Sequence, residues 1–317
     1  MSEIELHRKL LGDAPRNAAF HAALKAVIKP GVSTVADLGA GTGFLSFLAR
    51  QLGAAHCTLI EYTDTIQLAQ QLARANKIDG LSFIQGHSGA IKKPEKVDVV
   101  VSETLGNYAL EENLLETLND ARRYLKKNGV MIPCGLKQYV APVLSTRLQD
   151  EIDVWPQVGF GINLDAARTI SLNNMYVRAL QPDDVGGSEA HAKCWDTLRF
   201  ATDTDAAPSL RRESVHWSGK SLGAVTVHGY ALWWVAELVP GVTISTSPFS
   251  VATHWEQIYL PLLSPITLEG ADTLECTLTS DTRPEAGLRV AWRSRQLRGG
   301  KPLHTQDQDI TQGRIEC

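Results

Sequence analysis

The 317-residue sequence predicts an α/β fold joined to a β fold: a doubly wound parallel sheet over residues 1–134, then a mostly antiparallel, barrel-like domain over 135–317. Three observations predict it. In the first half, short apolar runs alternate with helix-spaced segments, the pattern of βαβ units in a parallel sheet. After Pro133-Cys134-Gly135 the runs become alternating or β-branched and are separated by Gly, Pro, Asn and Asp turns, as in a sandwich or barrel. Finally, VADLGAGTG (35–43) is a glycine-rich turn between a strand and a helix.

In chain order, Ala18–Ile28 has helical spacing, and Val32–Leu38 is a short strand ending in Asp-Leu-Gly. Phe44–Leu52 is helical, Cys57–Ile60 is a brief apolar run, and Ile66–Asn76 is a helix with alanines on one face. Leu81–Ile84 and Val97–Val101 are further strands. Leu114–Leu125 reads as a helix closed by Lys126-Lys127-Asn128-Gly129, because lysines in a last turn followed by Asn-Gly are helix-stop chemistry. In the second half, Gln138–Val143, Ala224–Leu238, Thr273–Ser280 and Leu288–Trp292 read as strands. Between them Ile152–Asp184 is irregular, with short helices expected near Leu164–Ile170 and Met175–Leu180.

Composition limits the function. With 44% hydrophobic and 21% charged residues, the chain has the make-up of an ordinary soluble globular protein. A net charge of −4 argues against bulk electrostatic binding to nucleic acid or an anionic membrane. The five cysteines (57, 134, 194, 276, 317) show no metal-ligand spacing and suit reduced thiols in a cytoplasm. The N-terminus lacks an apolar signal core, and no stretch approaches the ~20 apolar residues of a membrane span. The expectation is a soluble, cytoplasmic protein.

Within the glycine turn, Gly39 and Gly41 would let a ligand approach the backbone, and Gly43 begins the next helix. A dinucleotide site wants G-x-G-x-x-G, but Phe44 stands where the last glycine should be. The shorter G-x-G-x-G suits S-adenosylmethionine, which has no pyrophosphate to cradle. Glu61 follows the strand-like TLI, twenty-two residues after Gly39, where an acid would bind ribose hydroxyls. The competing reading is a purely structural turn, with Glu61 a solvated strand-end acid.

SETLGNYALEE (102–112) leaves the most apolar strand with three carboxylates. Glu103 lies at the strand's carboxyl end, where open α/β sheets bind ligands, and Glu112 can fold back beyond Gly106 onto the same target. Two close carboxylates raise one another's pKa, so they want a cation between them. No metal-ligand cluster lies nearby. A guanidinium is the natural partner, planar and able to make two parallel hydrogen bonds to each acid. Alternatively, Glu111 and Glu112 merely cap the helix starting near Leu114.

The segment resembles the double-E loop of protein arginine methyltransferases, with Glu103 and Glu112 at the matching positions and Glu111 a bystander. About 140 residues further on, STSPFSVATHWEQIYL (245–260) carries Thr253-His254-Trp255, similar to the Thr-His-Trp loop of that family's β-barrel. HRKLLGDAPR (7–16) resembles the family's H-x-x-M-L-x-D-x-x-R helix, with Leu10 in the methionine place and His7, Asp13 and Arg16 matching. The resemblance runs in one order from about residue 7 to the end.

It implies S-adenosylmethionine as cofactor and an arginine guanidinium as methyl acceptor. Arg16 would pair with the cofactor's methionine carboxylate, Asp37, Gly39 and Gly41 would line its turn, and Glu61 would take the ribose. His7 joins the cofactor set by its motif. Ser88 or backbone would serve at the adenine amino group, since GHSGAIKK (86–93) lacks the family's acid. Glu103 and Glu112 would grip the guanidinium, and Asp13 with His254 would accept the departing proton. Trp255, Leu10 and Leu114 would belong to the substrate pocket, the two leucines standing where methionines influence how many methyls are added. On the residues alone, His254 equally reads as a satisfied barrel histidine and Trp255 as core.

The family's Y-F-x-x-Y helix would fall at or before Met1 and is expected to be missing, which leaves the cofactor lid and one pocket wall unassigned. Thr104 and Asn107 replace bulkier family residues. Trp155–Val185 lies where the family inserts its dimerisation arm, which implies a homodimer. No metal is called for. The acceptor is expected to be arginine in a protein. Free arginine or a guanidino metabolite is the alternative, and a cofactor-binding scaffold without turnover is the rival from another class.

Overall fold

The computed structural model describes residues 3–200, 208–283 and 285–315. Met1, Cys317 and the place expected for the tyrosine-rich helix lie outside them. Two helices lead in, α1 (Glu3–Gly12) and α2 (Ala14–Val27). Between them Asp13 takes an extended backbone, and its carboxylate accepts the Arg16 N–H at 2.9 Å, with Pro15 in the first turn of α2. A side-chain acceptor there satisfies one of the amide groups every helix start leaves open.

The expected alternation follows: β1 (Thr34–Leu38), α3 (Phe44–Gln51), β2 (His56–Glu61), α4 (Thr65–Ala75), β3 (Leu81–Gln85), β4 (Val97–Val101), α5 (Leu114–Ala121) and β5 (Leu125–Ile132). The strands pair in parallel in the order β3-β2-β1-β4-β5. Strand order reverses between β1 and β4, the point at which open α/β sheets bind ligands beyond their carboxyl ends. Gly39 and Glu103 leave the sheet on either side of it.

One expectation fails here. The helix after the acid loop ends at Ala121, passes through a 3-10 turn at Arg122–Tyr124, and the LKKNGVMI stretch is β5. Asn128 does take a left-handed φ of +64, the conformation that fits a helix end. It does so inside a strand, where the register with β4 shifts between Val97 and Val99. Pairing of Val130–Ile132 with Val99–Val101 overrides the local signal.

The second half begins with β6 (Gly135–Val143), α6 (Arg147–Ile152), α7 (Asp165–Leu172), β7 (Tyr176–Arg178), β8 (Lys193–Arg199), β9 (Leu210–Ser218) and α8 (Gly219–Leu222). It continues with β10 (Val225–Val239), β11 (Val242–Ser245), β12 (Gln257–Leu268), β13 (Asp272–Asp281), β14 (Arg289–Arg298) and β15 (Lys301–Asp309). One antiparallel sheet runs β7-β12-β10-β6-β8, with β11 on β10, and the other runs β15-β14-β13-β9. The arrangement is barrel-like without closing. The Met175–Leu180 helix is also corrected: Tyr176–Arg178 adds as a strand to β12.

Over Tyr230–Trp234, β10 is buried on both faces, which is why that stretch reads as an unbroken apolar run. Tyr230, Leu232 and Trp234 join the main core, which also contains the parallel sheet. Ala231 and Trp233 join a second core under Leu172, Leu180 and Val185 of the 144–192 segment.

Candidate active site

A cavity of about 690 Å³ opens at the carboxyl ends of β1, β2 and β4. His7 and Leu10 of α1 form part of its wall, facing the glycine turn, Glu61, Ser88, Glu103 and Glu112. Gly41 has φ +51, and a side chain there would press on the His7 ring at 2.8 Å. Only glycine suits that position. The Gly41 N–H donates to Glu61 Oε2 at 3.0 Å and the Thr63 N–H to Oε1 at 2.8 Å, so the carboxylate is held rigidly with lone pairs to spare. Asp37 sits beneath, accepting from Ser46 Oγ at 2.8 Å, and its burial pushes its pKa up to about 6.

The structure brings Arg16 and Glu103 onto each other. Arg16 Nε donates to Glu103 Oε2 at 2.7 Å, Nη2 donates to the same oxygen, and both side chains are buried. Arg16 Nη1 donates to Asn17 Oδ1 at 3.0 Å, and the guanidinium lies 5.5 Å from the Phe20 ring centroid. Thus the first acid of the loop already holds a guanidinium.

Glu112 holds nothing among the described residues. It is reachable from the cavity, yet the protein packed around it, and then the nearby Glu103 and Glu111, push its pKa up to about 7. Glu111 is different: its carboxylate accepts the Asn107 N–H at 2.8 Å and lies over Gly106, where an added Cβ would meet Glu111 Oε1 at 2.4 Å. Neither acid caps α5, whose N-cap Asn113 (φ 56) makes no side-chain cap bond.

The β half closes on this loop. His254 Nδ1 and the His254 backbone N–H both lie 2.7 Å from Asp13 Oδ2. Burial alone would raise the Asp13 pKa, but the hydrogen bonds from the Arg16 and His254 amides and the His254 ring bring it below the ordinary value. The His254 and Trp255 rings are 4.0 Å apart, Trp255 Nε1 donates to Leu105 O at 2.7 Å, and Trp234 Nε1 donates to Gly106 O at 3.0 Å. The Glu256 N–H donates to Asn107 Oδ1 at 2.9 Å. Three successive loop residues are thereby tied to the antiparallel half.

Of the residues singled out from sequence, Arg16, Asp37, Gly39, Gly41, Glu61, His7, Ser88, Leu10, Glu103 and Glu112 line the cavity. Asp13, His254 and Trp255 do not, but each bonds a residue beside it or on its wall. Leu114 is fully buried in the core and is not part of the wall. Trp234 and Asn107 act on the site without having been assigned a role in it. Within an apolar strand, an indole signals core before it signals a hydrogen-bond donor.

Among the described residues, no group of three or more His, Cys, Asp or Glu could hold a metal ion. The arrangement suits an extended polar ligand over the glycine turn, with a cation beside the two acids. Comparison with known proteins agrees. Residues 31–158 match a family model described as a methyltransferase domain, and residues 137–290 match the arginine methyltransferase oligomerization subdomain. The chain is 29% identical to protein arginine N-methyltransferase 6 of Xenopus laevis over 308 residues, 89% of this chain and 86% of that one. It is 34% identical to the histone-arginine methyltransferase CARMER of Drosophila persimilis over 251 residues, 76% of this chain and 46% of that one. Its fold matches the Trypanosoma brucei PRMT1 enzyme–prozyme complex with AdoHcy with a TM-score of 0.82 at 22% identity, covering 96% of this chain and 98% of that one. Arabidopsis thaliana protein arginine methyltransferase 10 gives a TM-score of 0.80 at 22% identity, over 96% of this chain and 97% of that one. The chain belongs to the protein arginine methyltransferase family, enzymes that methylate arginine guanidinium nitrogens with S-adenosylmethionine.

Proposed function

We propose that this chain methylates arginine within a protein, with Glu103 and Glu112 gripping the guanidinium. The observation that carries it is the Arg16–Glu103 pair: the first acid binds a guanidinium, while Glu112, unpartnered, faces the same cavity. The cavity volume of about 690 Å³ falls within the ~300–1,000 Å³ of small-molecule sites. The glycine turn and the braced Glu61 fit an adenosyl sulfonium, which when bound supplies an electrophilic methyl group.

Arg16 orients the cofactor's carboxylate, and Glu61 takes its ribose. Arginine is protonated at any physiological pH, and its nitrogens are poor nucleophiles while the charge is evenly spread. Two carboxylates on one side draw positive charge toward themselves and leave electron density on the attacking nitrogen. Alignment supplies much of the remaining acceleration. Asp13 holds His254 Nδ1–H, leaving Nε2 to accept the proton that departs.

Relatives named for protein and histone arginine favour a protein acceptor over free arginine. A homodimer is supported by the match to an oligomerization subdomain and by the exposed apolar segment around Phe160. A cytoplasmic location is supported by free Cys57, Cys134, Cys194 and Cys276, and no described helix is long and apolar enough to cross a membrane. A domain boundary at Cys134 is supported by the change from parallel to antiparallel pairing there.

The test is methyl transfer from isotopically labelled S-adenosylmethionine to histones and, separately, to free arginine, read by mass spectrometry. Label on histone arginine is expected. Label on free arginine alone would overturn the acceptor, and binding of the cofactor without turnover would favour the scaffold.

A further inference from the structure

After Leu105, Gly106 and Asn107, the acid loop turns one large side chain away from the cavity. Tyr108 is 2% exposed and packs in the main core. Its carbonyl accepts the Glu111 N–H at 2.9 Å, so Tyr108 opens the turn that delivers Glu112. Ala109 and Leu110 within that turn are buried too.

Tyr108 enters a polar socket built by both antiparallel sheets. Gln138 on β6 and Asp196 on β8 belong to one sheet, Arg211 on β9 and Ser280 on β13 to the other. Arg211 Nε and Gln138 Nε2 both donate to Asp196 Oδ2 at 2.8 Å, and Arg211 Nη2 donates to Ser280 Oγ at 2.8 Å. All four side chains are buried. A buried ion pair is weak evidence of stability, and its best-attested use is to fix one arrangement of the parts it joins. The Tyr108 hydroxyl faces Ser280 and Gln138 beside that pair, and burial pushes its pKa up to about 12. It makes no hydrogen bond of full geometry, so the fit of the ring holds the side chain more than the hydroxyl does. Neither Tyr108 nor any member of the socket lines the cavity.

We propose that Tyr108, seated in the Gln138–Asp196–Arg211–Ser280 socket, is a positioning residue that sets where Glu112 stands opposite Glu103. This rests on the reading of Glu103 and Glu112 as the arginine clamp. Glu103 follows the end of β4 closely and is held by Arg16. Glu112 opens to the cavity with no partner among the described residues, so its place depends on its turn. A shift of about 1 Å in such a group, caused far from the chemistry, costs roughly 10²-fold in rate.

The experiment measures methyl transfer to histone, S-adenosylhomocysteine affinity and melting temperature for Tyr108→Leu, Tyr108→Phe and Arg211→Lys. Tyr108→Leu should lower kcat/KM for histone roughly 10²-fold, with affinity for S-adenosylhomocysteine unchanged. Tyr108→Phe should keep most of the rate and melt no lower than wild type, since the hydroxyl has no full bond to lose. Arg211→Lys keeps the charge but loses the planar fork that joins Asp196 to Ser280, and should repeat the leucine pattern without opening a cavity. A double-mutant cycle separates positioning from general damage. In a Glu112→Gln background Tyr108→Leu should cost little more, because the acid it places is already disabled. In a Glu61→Gln background it should cost its full factor. A wild-type rate in Tyr108→Leu, equal losses in both backgrounds, or a loss explained by weaker S-adenosylhomocysteine binding would overturn the proposal. Absence of transfer by wild type would bring down the arginine reading, and the positioning role with it.

Discussion

Glu103, Glu111 and Glu112 lie within ten residues of one another and do three different things. Glu103 faces a guanidinium, Glu111 props its own loop, and Glu112 opens to the cavity with no partner among the described residues. Changing Glu103 to Gln keeps the shape and removes the charge, so single-turnover methyl transfer should fall roughly 10²–10⁴-fold, about 3–5 kcal/mol of barrier. Because Arg16 loses its counterion in that variant, melting temperature should be measured on the same preparation. Glu111→Gln should stay near wild type, since an amide oxygen can still accept the Asn107 N–H. A Glu103→Gln enzyme with an unimpaired rate would refute the clamp. Glu112 gives a pH signature. Its folded pKa of about 7 lies above the ordinary 4.5, so between those values the folded chain binds more protons than the unfolded one. Its contribution to stability therefore declines as pH rises through that window. A bound guanidinium favours the carboxylate, so acceptor binding near pH 7 should release a proton, measurable by calorimetry in buffers of different ionisation enthalpy. The pH profile of kcat/KM should rise toward a plateau above about 7, with kcat inflecting at lower pH. Identical inflections would argue that Glu112 does not meet the acceptor.

At the scale of elements, Asp13 links two functions, capping α2 through the Arg16 N–H and anchoring His254. Asparagine caps helices about as well as aspartate. Asp13→Asn should therefore keep the cap while turning an amide donor onto the His254 N–H groups, costing about 1–3 kcal/mol and much of the rate through a misoriented imidazole. Asp13→Ala should lose both, with about 1 kcal/mol of stability gone with the cap. Equal rates for Asn and wild type would confine Asp13 to the cap. These contacts also mark what the sequence could reveal. The glycine turn, Glu61 and the strand Val97–Val101 were legible because local spacing determines them. The strand nature of LKKNG was not, because its Asn-Gly chemistry fits a helix end equally well and only pairing with β4 decides. Tyr176–Arg178 became a strand for the same reason, through β12. The Arg16–Glu103 pair spans 87 residues and joins two groups each assignable to a different ligand.

Across the whole molecule, the acid loop is fixed by the antiparallel half, so the site exists only when both halves are packed together. Assembly extends that logic. The segment after α6 exposes Val154, Val158, Phe160 and Ile162, with Phe160 93% accessible. Phe160 also holds φ +60 between Gly159 (φ +80) and Gly161 (φ +71). A bulky residue in the left-handed region is uncommon, and such strain persists only where something compensates it. Almost nothing within the chain covers this ring, so a second copy is the natural source of compensation. In a two-fold dimer each substitution acts twice. Phe160→Ser should remove about 1.5–3 kcal/mol of burial per copy, weakening dimerisation on the order of 10²–10⁴-fold. The isolated chain should melt as before, because the ring contributes little to its own fold. Sedimentation over a concentration series should show wild type as a dimer at micromolar concentration and the variant as largely monomer. Equal masses for the two proteins, or a fully active wild-type monomer, would rule out this segment as the assembly arm.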